Sequence, residues 1–170
     1  MLTATSKSTP IHTQLDEFIK SQEDLVAAAR IEGILLDCIR RHEFIYYIDI
    51  AKMLGMFSGG RHLARLLGVI HSNDRMHKEP IKTSIVISKG RDVPGYGHYV
   101  LDMEWKSWTT LEQYFDDWKG HLTAFGMHAT PLALKTIDDD CKESAAERAI
   151  NIDSWQRTHQ GVFTDEGYER

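Results

Sequence analysis

"TSIVISKGRDVPGYGHYVLDM", residues 83–103, is the stretch on which the fold turns. Its opening, "TSIVISK" (83–89), is rich in β-branched side chains and predicts a strand. "GRDVPGYG" (90–97) supplies the glycines, proline and aspartate that turns favour. "GHYVLDM" (97–103) then predicts a second, partner strand. On this reading Pro94, Gly95 and Gly97 bend the chain between two strands. The glycines have neither the spacing nor the following helix that a phosphate cradle requires, and His98 has no partner nearby in sequence.

The residues before this stretch read as helices. From Leu15 to Arg41, apolar residues including Leu25, Ala28, Ile31, Leu35 and Ile39 fall at helical spacings, with Ser21 and Asp24 resembling an N-cap. "EFIYYI" (43–48) suits a brief strand or an extended lead into the next helix. "YIDIAKMLG" (47–55) predicts a short helix closed by Gly55. After a turn at Ser58, Gly59 and Gly60, "RHLARLLGVIHSNDRMH" (61–77) keeps the i, i+3, i+4, i+7 rhythm through Leu63, Leu66, Leu67 and Ile70. Two short helices across a glycine turn form a helix-turn-helix candidate, and a ribbon after them gives winged-helix order.

Downstream, Thr109 and Glu112 predict a capping box, and Leu111, Tyr114, Phe115, Trp118, Leu122 and Phe125 trace an aromatic-rich stripe. A weaker helix follows Pro131. The expected fold class is α+β: mostly helical, with a winged-helix-like core, a short two- or three-stranded sheet and additional packed helices. The expected organisation is a flexible segment over 1–22, a core domain over 23–126 and an acidic, partly helical extension over 127–170.

A chain of 170 residues, 42% hydrophobic and 26% charged, has enough apolar matter for one domain with a sizeable core. No stretch approaches the roughly 18 apolar residues needed to span a bilayer. Neither a leader nor a membrane partner is therefore expected, and the cytoplasm is the expected location. Cys38 and Cys141 lie far apart without ligand spacing, which predicts reduced thiols. The net charge of −5 conceals an asymmetry: residues 30–91 hold 11 Lys/Arg against 6 Asp/Glu, and residues 92–170 hold 7 against 15. Such a division suits a basic binding face followed by an acidic segment.

The pieces Tyr47, Asp49, Ile50, Ala51, Leu54 and Gly55, followed by Ala64, Arg65 and Gly68, resemble the helix-turn-helix of the alkyltransferase-like winged-helix proteins. These are relatives of the O6-alkylguanine-DNA alkyltransferases. The resemblance covers residues 43–101. It implies a winged-helix fold, with Tyr47 and Arg65 as nucleic-acid contacts. No cysteine stands at the nucleophile position and no His-Arg pair stands in the strand, so it does not extend to alkyl transfer.

Among nine histidines, His71, Asp74 and His77 form the most suggestive local group. On a helix, however, His71 and His77 would face opposite sides, which disfavours a shared metal. No cofactor and no metal are expected. "SGGR" (58–61) could receive an anion at a helix start with Arg61 assisting. Walker, Rossmann and nucleophile-elbow patterns are absent from the sequence.

The leading expectation is a non-catalytic binding module that engages nucleic acid or a nucleic-acid-associated protein. Tyr47, Arg61 and Arg65 on the helices and Lys89, Arg91 and Tyr96 on the wing would meet the partner. One alternative is a small inhibitor or adaptor of the immunity or anti-defence type, acting through an acidic face on a protein partner, with a homodimer also compatible. A second alternative is a hydrolase or nuclease built on His71, His77 and His98.

Overall fold

Helix α1 (Gln22–Arg40) turns Ile31, Leu35 and Cys38 inward, three and four residues apart, so one stripe of the helix meets the core. The computed structural model describes residues 22–56, 60–106 and 108–146. The segment expected to be flexible, the helix start near Leu15 and Ser21, the turn at Ser58 and Gly59, and everything after 146 lie outside the described residues.

Strand β1 (Ile45–Tyr46) leads directly into α2 (Tyr47–Met53), which buries Tyr47, Ile50 and Ala51. After α2 the chain turns at Gly55, whose φ of 67° lies in the left-handed region that glycine adopts without a Cβ penalty. Helix α3 (Gly60–Met76) buries Leu63, Leu66, Leu67 and Ile70, as the periodicity predicts, together with His71 and Asp74. It packs against α1 on one side and, on another, against the helix that follows the sheet.

Residues 83–103 depart from the expected ribbon. Lys82–Ile85 form a single 3-10 turn, and only Val86–Ile87 make a strand, β2. The turn is fixed from outside: Asp74 accepts from the Lys82 backbone N–H at 2.9 Å, and the Trp118 indole N–H donates to the Ser84 carbonyl at 2.8 Å. Strand β2 pairs in parallel with β1, Ile45 opposite Val86 and Tyr46 opposite Ile87.

The expected partner strand, 97–103, is instead part of helix α4 (Tyr96–Lys106). Its buried residues are His98, Tyr99, Leu101 and Asp102, a helical set. The chain is already reversed before the helix begins, because the Ser88 N–H donates to the Val93 carbonyl at 2.9 Å. Gly95 N–H then donates to the Tyr47 hydroxyl at 2.8 Å. Tertiary contacts here override the β propensity of Tyr99 and Val100.

Helix α5 (Leu111–Ala124) carries the expected stripe, burying Leu111, Tyr114, Phe115, Trp118 and Leu122. Its capping box is formed by Thr110 and Gln113, one residue later than Thr109 and Glu112. Helix α6 (Pro131–Ala146) adds Ala133 and Ile137 to the same core. Arg91 holds it through Asp140 at 2.7 Å, and the Thr136 hydroxyl donates to the Arg91 carbonyl at 2.9 Å. The fold is α+β and mostly helical, with six α-helices and one two-stranded sheet among the described residues. None of these helices is long and apolar enough to cross a membrane. Cys38 and Cys141 are free thiols.

Candidate functional site

Where α3 and α4 face each other they leave a cavity of about 250 Å³. Helix α3 contributes Ala64, Arg65, Leu67, Gly68 and His71, and α4 contributes Tyr96, Gly97, His98, Val100 and Leu101. Tyr47 from the start of α2, Thr83 from the 3-10 turn and Val86 from β2 complete the lining. Most of these side chains are apolar or aromatic, the usual character of a small-molecule site with few polar groups.

Beneath the cavity runs a chain of buried polar groups. Asp102 is 0% exposed and His71 1%. The His71 Nε2–H donates to Asp102 Oδ1 at 2.6 Å. Arg75 donates to the same oxygen from Nη2 at 2.7 Å and from Nε at 3.1 Å. Its Nη2 also reaches Asp117 Oδ2 at 2.6 Å. Asp117 in turn accepts from His121 Nε2–H at 3.0 Å, while His121 Nδ1 accepts from the Ile81 N–H. On the cavity side, Thr83 Oγ1 lies 3.4 Å from His71 Nδ1, and the Tyr114 hydroxyl lies 2.9 Å from His98 Nδ1. The His71 and His98 rings are 4.5 Å apart between centroids.

Burial alone would raise the Asp102 carboxyl, but His98, the hydrogen bond from His71 and the Arg75 charge outweigh it, holding the group far below the usual carboxylate range. Burial has the opposite consequence for His98: with His71 and Arg75 adding to it, the imidazole is held well below its ordinary value, against the pull of Asp102. At neutral pH that ring is uncharged. Burial, followed by the Asp102 charge, raises the Tyr114 hydroxyl well above its ordinary value, so it keeps its proton.

His71, His98 and Asp102 each offer one ligand atom, and these atoms lie within 4.8 Å of one another. Two imidazoles and a carboxylate are donors that suit a first-row divalent ion. Asp102 Oδ1 is already engaged by His71 and doubly by Arg75, whereas Asp102 Oδ2 and His98 Nε2 are buried without a hydrogen-bond partner among the described residues. Within the triplet His71 and Asp102 are hydrogen-bonded to each other, whereas His98 bonds to Tyr114.

Five residues singled out in the sequence converge on this cavity: Tyr47, Arg65, His71, Tyr96 and His98. Tyr47 is buried, and Arg65 is exposed on α3. Four others stand elsewhere. Arg61 is exposed on the first turn of α3, and Lys89 is exposed in the turn after β2. Arg91 is tied to Asp140, and His77 is exposed, its Nδ1–H donating to the Asn73 carbonyl at 2.8 Å. Asp74, grouped with His71 and His77 in the sequence, pairs with Lys82 at 2.5 Å. The sequence reading missed Asp102, Arg75, Tyr114 and Thr83. The helical spacing of His98 and Asp102, four residues apart, is the one local signal that could have joined two of them. Compared with protein families, with curated proteins and with solved structures, the chain matches none, so what the cavity does is argued from its own geometry.

Proposed function

We propose that the protein is a binding module whose ligand is a small, largely apolar molecule held between α3 and α4. The observation that carries this is the lining: Leu67, Val86, Val100 and Leu101, with the rings of Tyr47 and Tyr96, surround the space between α3 and α4, and few polar groups reach it.

Filling the space tests this. Small aromatic compounds added to the wild-type protein raise its unfolding temperature and shift the NMR signals of residues on α3 and α4. The Ala64→Trp variant, which places an indole in the cavity, remains folded but loses both responses. A broad set of such compounds that moves no cavity signal in the wild type refutes the reading.

One observation favours a second reading, hydrolysis. Asp102, His71 and Thr83 stand in the order carboxylate, imidazole, hydroxyl, at 2.6 and 3.4 Å. In that reading His71 Nδ1 takes the proton of Thr83 as its oxygen attacks an ester carbonyl and returns it to the departing alkoxide, and water then hydrolyses the Thr83 acyl ester to free the acid. A p-nitrophenyl ester gives the test: Thr83→Val abolishes turnover if Thr83 is the nucleophile, and unchanged turnover removes the reading. Nucleic-acid binding through Arg61, Arg65 and Lys89 draws less support, because Lys82 and Arg91 are committed to Asp74 and Asp140. Of the acidic extension, Asp140 is buried against Arg91, while Asp138, Asp139 and Glu143 stand exposed, Asp138 paired with Lys142.

A further inference from the structure

Along α3, Ala64, Leu67, Gly68 and His71 recur at i, i+3, i+4 and i+7, so one stripe of the helix faces the cavity over about 10 Å of its axis. Exposure falls along that stripe. Ala64 is half-buried, whereas Leu67 and His71 are buried, and from other elements of the lining Thr83, Val86 and Leu101 are buried as well. On α4 the lining residues that reach solvent are Tyr96, Gly97 and Val100, each half-buried. The cavity therefore has a mouth and a closed, apolar end. Arg65 is both exposed and part of the lining. A side chain that meets both conditions runs along the wall and ends in water, its methylenes on the apolar surface and its guanidinium at the mouth.

Charge at that mouth has one sign. Among the described residues the lining holds no Asp or Glu, and Arg65 is its one permanently charged member. The first turn of α4, which lines the cavity at Tyr96 and Gly97 and carries no acidic residue, adds the positive end of a helix dipole to the same field. Resting on the cavity as a ligand site, we infer that its occupant is an apolar carboxylic acid, such as an arylalkanoate, whose hydrocarbon end fills the space between α3 and α4 and whose carboxylate stays at the mouth against Arg65. A planar guanidinium meets a carboxylate through two parallel N–H bonds, one charge answering one charge. The reverse orientation buries the carboxylate among Val86 and Leu101 and costs its hydration. A phosphate monoester brings more negative charge than a single guanidinium balances.

4-Phenylbutanoate and 4-phenylbutanamide have nearly the same shape and differ in charge, so the pair isolates the head group. Titrated into the full chain at neutral pH and low salt and followed by NMR, both shift signals of α3 and α4, and the carboxylate binds about five-fold more tightly, the upper end of what a solvent-exposed ion pair supplies. In Arg65→Met, which keeps a stem along the wall, the carboxylate weakens to the level of the amide while the amide is unchanged. A merely structural role for Arg65 would weaken both compounds alike and leave the preference in place. Equal affinities in the wild type, or a preference that persists in Arg65→Met, overturn the carboxylate assignment and leave the cavity standing as a site. If neither compound shifts a cavity signal, the cavity reading falls and the assignment falls with it.

Discussion

Replacing Arg75 with methionine keeps much of the aliphatic packing but removes the guanidinium that binds Asp102 through two N–H groups and Asp117 through a third. Asp117 is 21% exposed and retains His121, so it can rehydrate. Asp102 is fully buried and is left with His71 alone. Breaking a buried ion pair on one side costs about 3–5 kcal/mol, a large part of a typical total stability of about 5–15 kcal/mol. The cost also depends on pH. In the wild type the folded carboxyl titrates far below its unfolded value, so its stabilisation is complete above the unfolded pKa and is lost as pH falls toward the folded one. In the variant burial acts with less opposition and the folded pKa rises. The gap between the two proteins is therefore full at pH 7 and narrows once pH drops through the variant's folded pKa. Urea unfolding followed by circular dichroism at a series of pH values from 7 to 4 measures it. The double variant Arg75→Met/Asp102→Asn, which strands no charge, should recover part of the loss. A loss below about 1 kcal/mol at pH 7, or a gap that widens on acidification, refutes the claim that the guanidinium sustains this carboxylate.

Three further outcomes follow from the same network and its surroundings. The unfolded His98 imidazole takes up a proton near pH 6.5 that the buried ring resists, so stability declines below that pH by up to about 1.4 kcal/mol per unit. The His98→Phe/Tyr114→Phe variant shows a correspondingly flatter profile in the same urea experiment, and an unchanged slope contradicts the neutral ring. Thr110→Ala removes the cap of α5 and lowers stability by about 1 kcal/mol, whereas Thr109→Ala, displaced from the cap by one residue, costs less. Zinc and a chelator leave the unfolding temperature of the purified protein unchanged, because the Arg75 guanidinium bound to Asp102 repels a second cation there; stoichiometric zinc by elemental analysis reverses this expectation.

Helices α3 and α5 were legible because their apolar residues recur at three and four positions over several turns, a signal that tertiary context reinforces. The cap of α5 was misplaced by one residue for a local reason: two threonines precede the helix, and Glu112 and Gln113 can both close a box. Helix α4 was not legible. "GHYVLDM" carries strand-like residues after a proline and two glycines, and a contact that seats the start of its helix, from Gly95 N–H to the Tyr47 hydroxyl, spans 48 positions. The sheet was equally hidden, since parallel pairing of residues 45 and 86 has no turn between the strands to announce it. For the site, His71, His98, Tyr47, Arg65 and Tyr96 could be picked out by residue type. What binds them could not: Asp102 is 31 residues from His71 and 27 from Arg75, and Asp117 is 42 from Arg75. Long-range ion pairs of this kind leave no spacing to read.

The two-residue ladder between β1 and β2 has a kinetic meaning. Joining Ile45 to Val86 closes a loop of about forty residues, whose entropy must be overcome before the few bonds of the ladder return anything. The ladder is therefore a clasp that forms late, after α2 and α3 have shortened the chain between its ends. Tyr47 follows one strand immediately and Val86 lies within the other, so each half of the clasp carries part of the cavity wall. A local opening that releases the ladder, well short of global unfolding, parts that wall. Amide exchange at 45–46 and 86–87 reads how often those four residues let go.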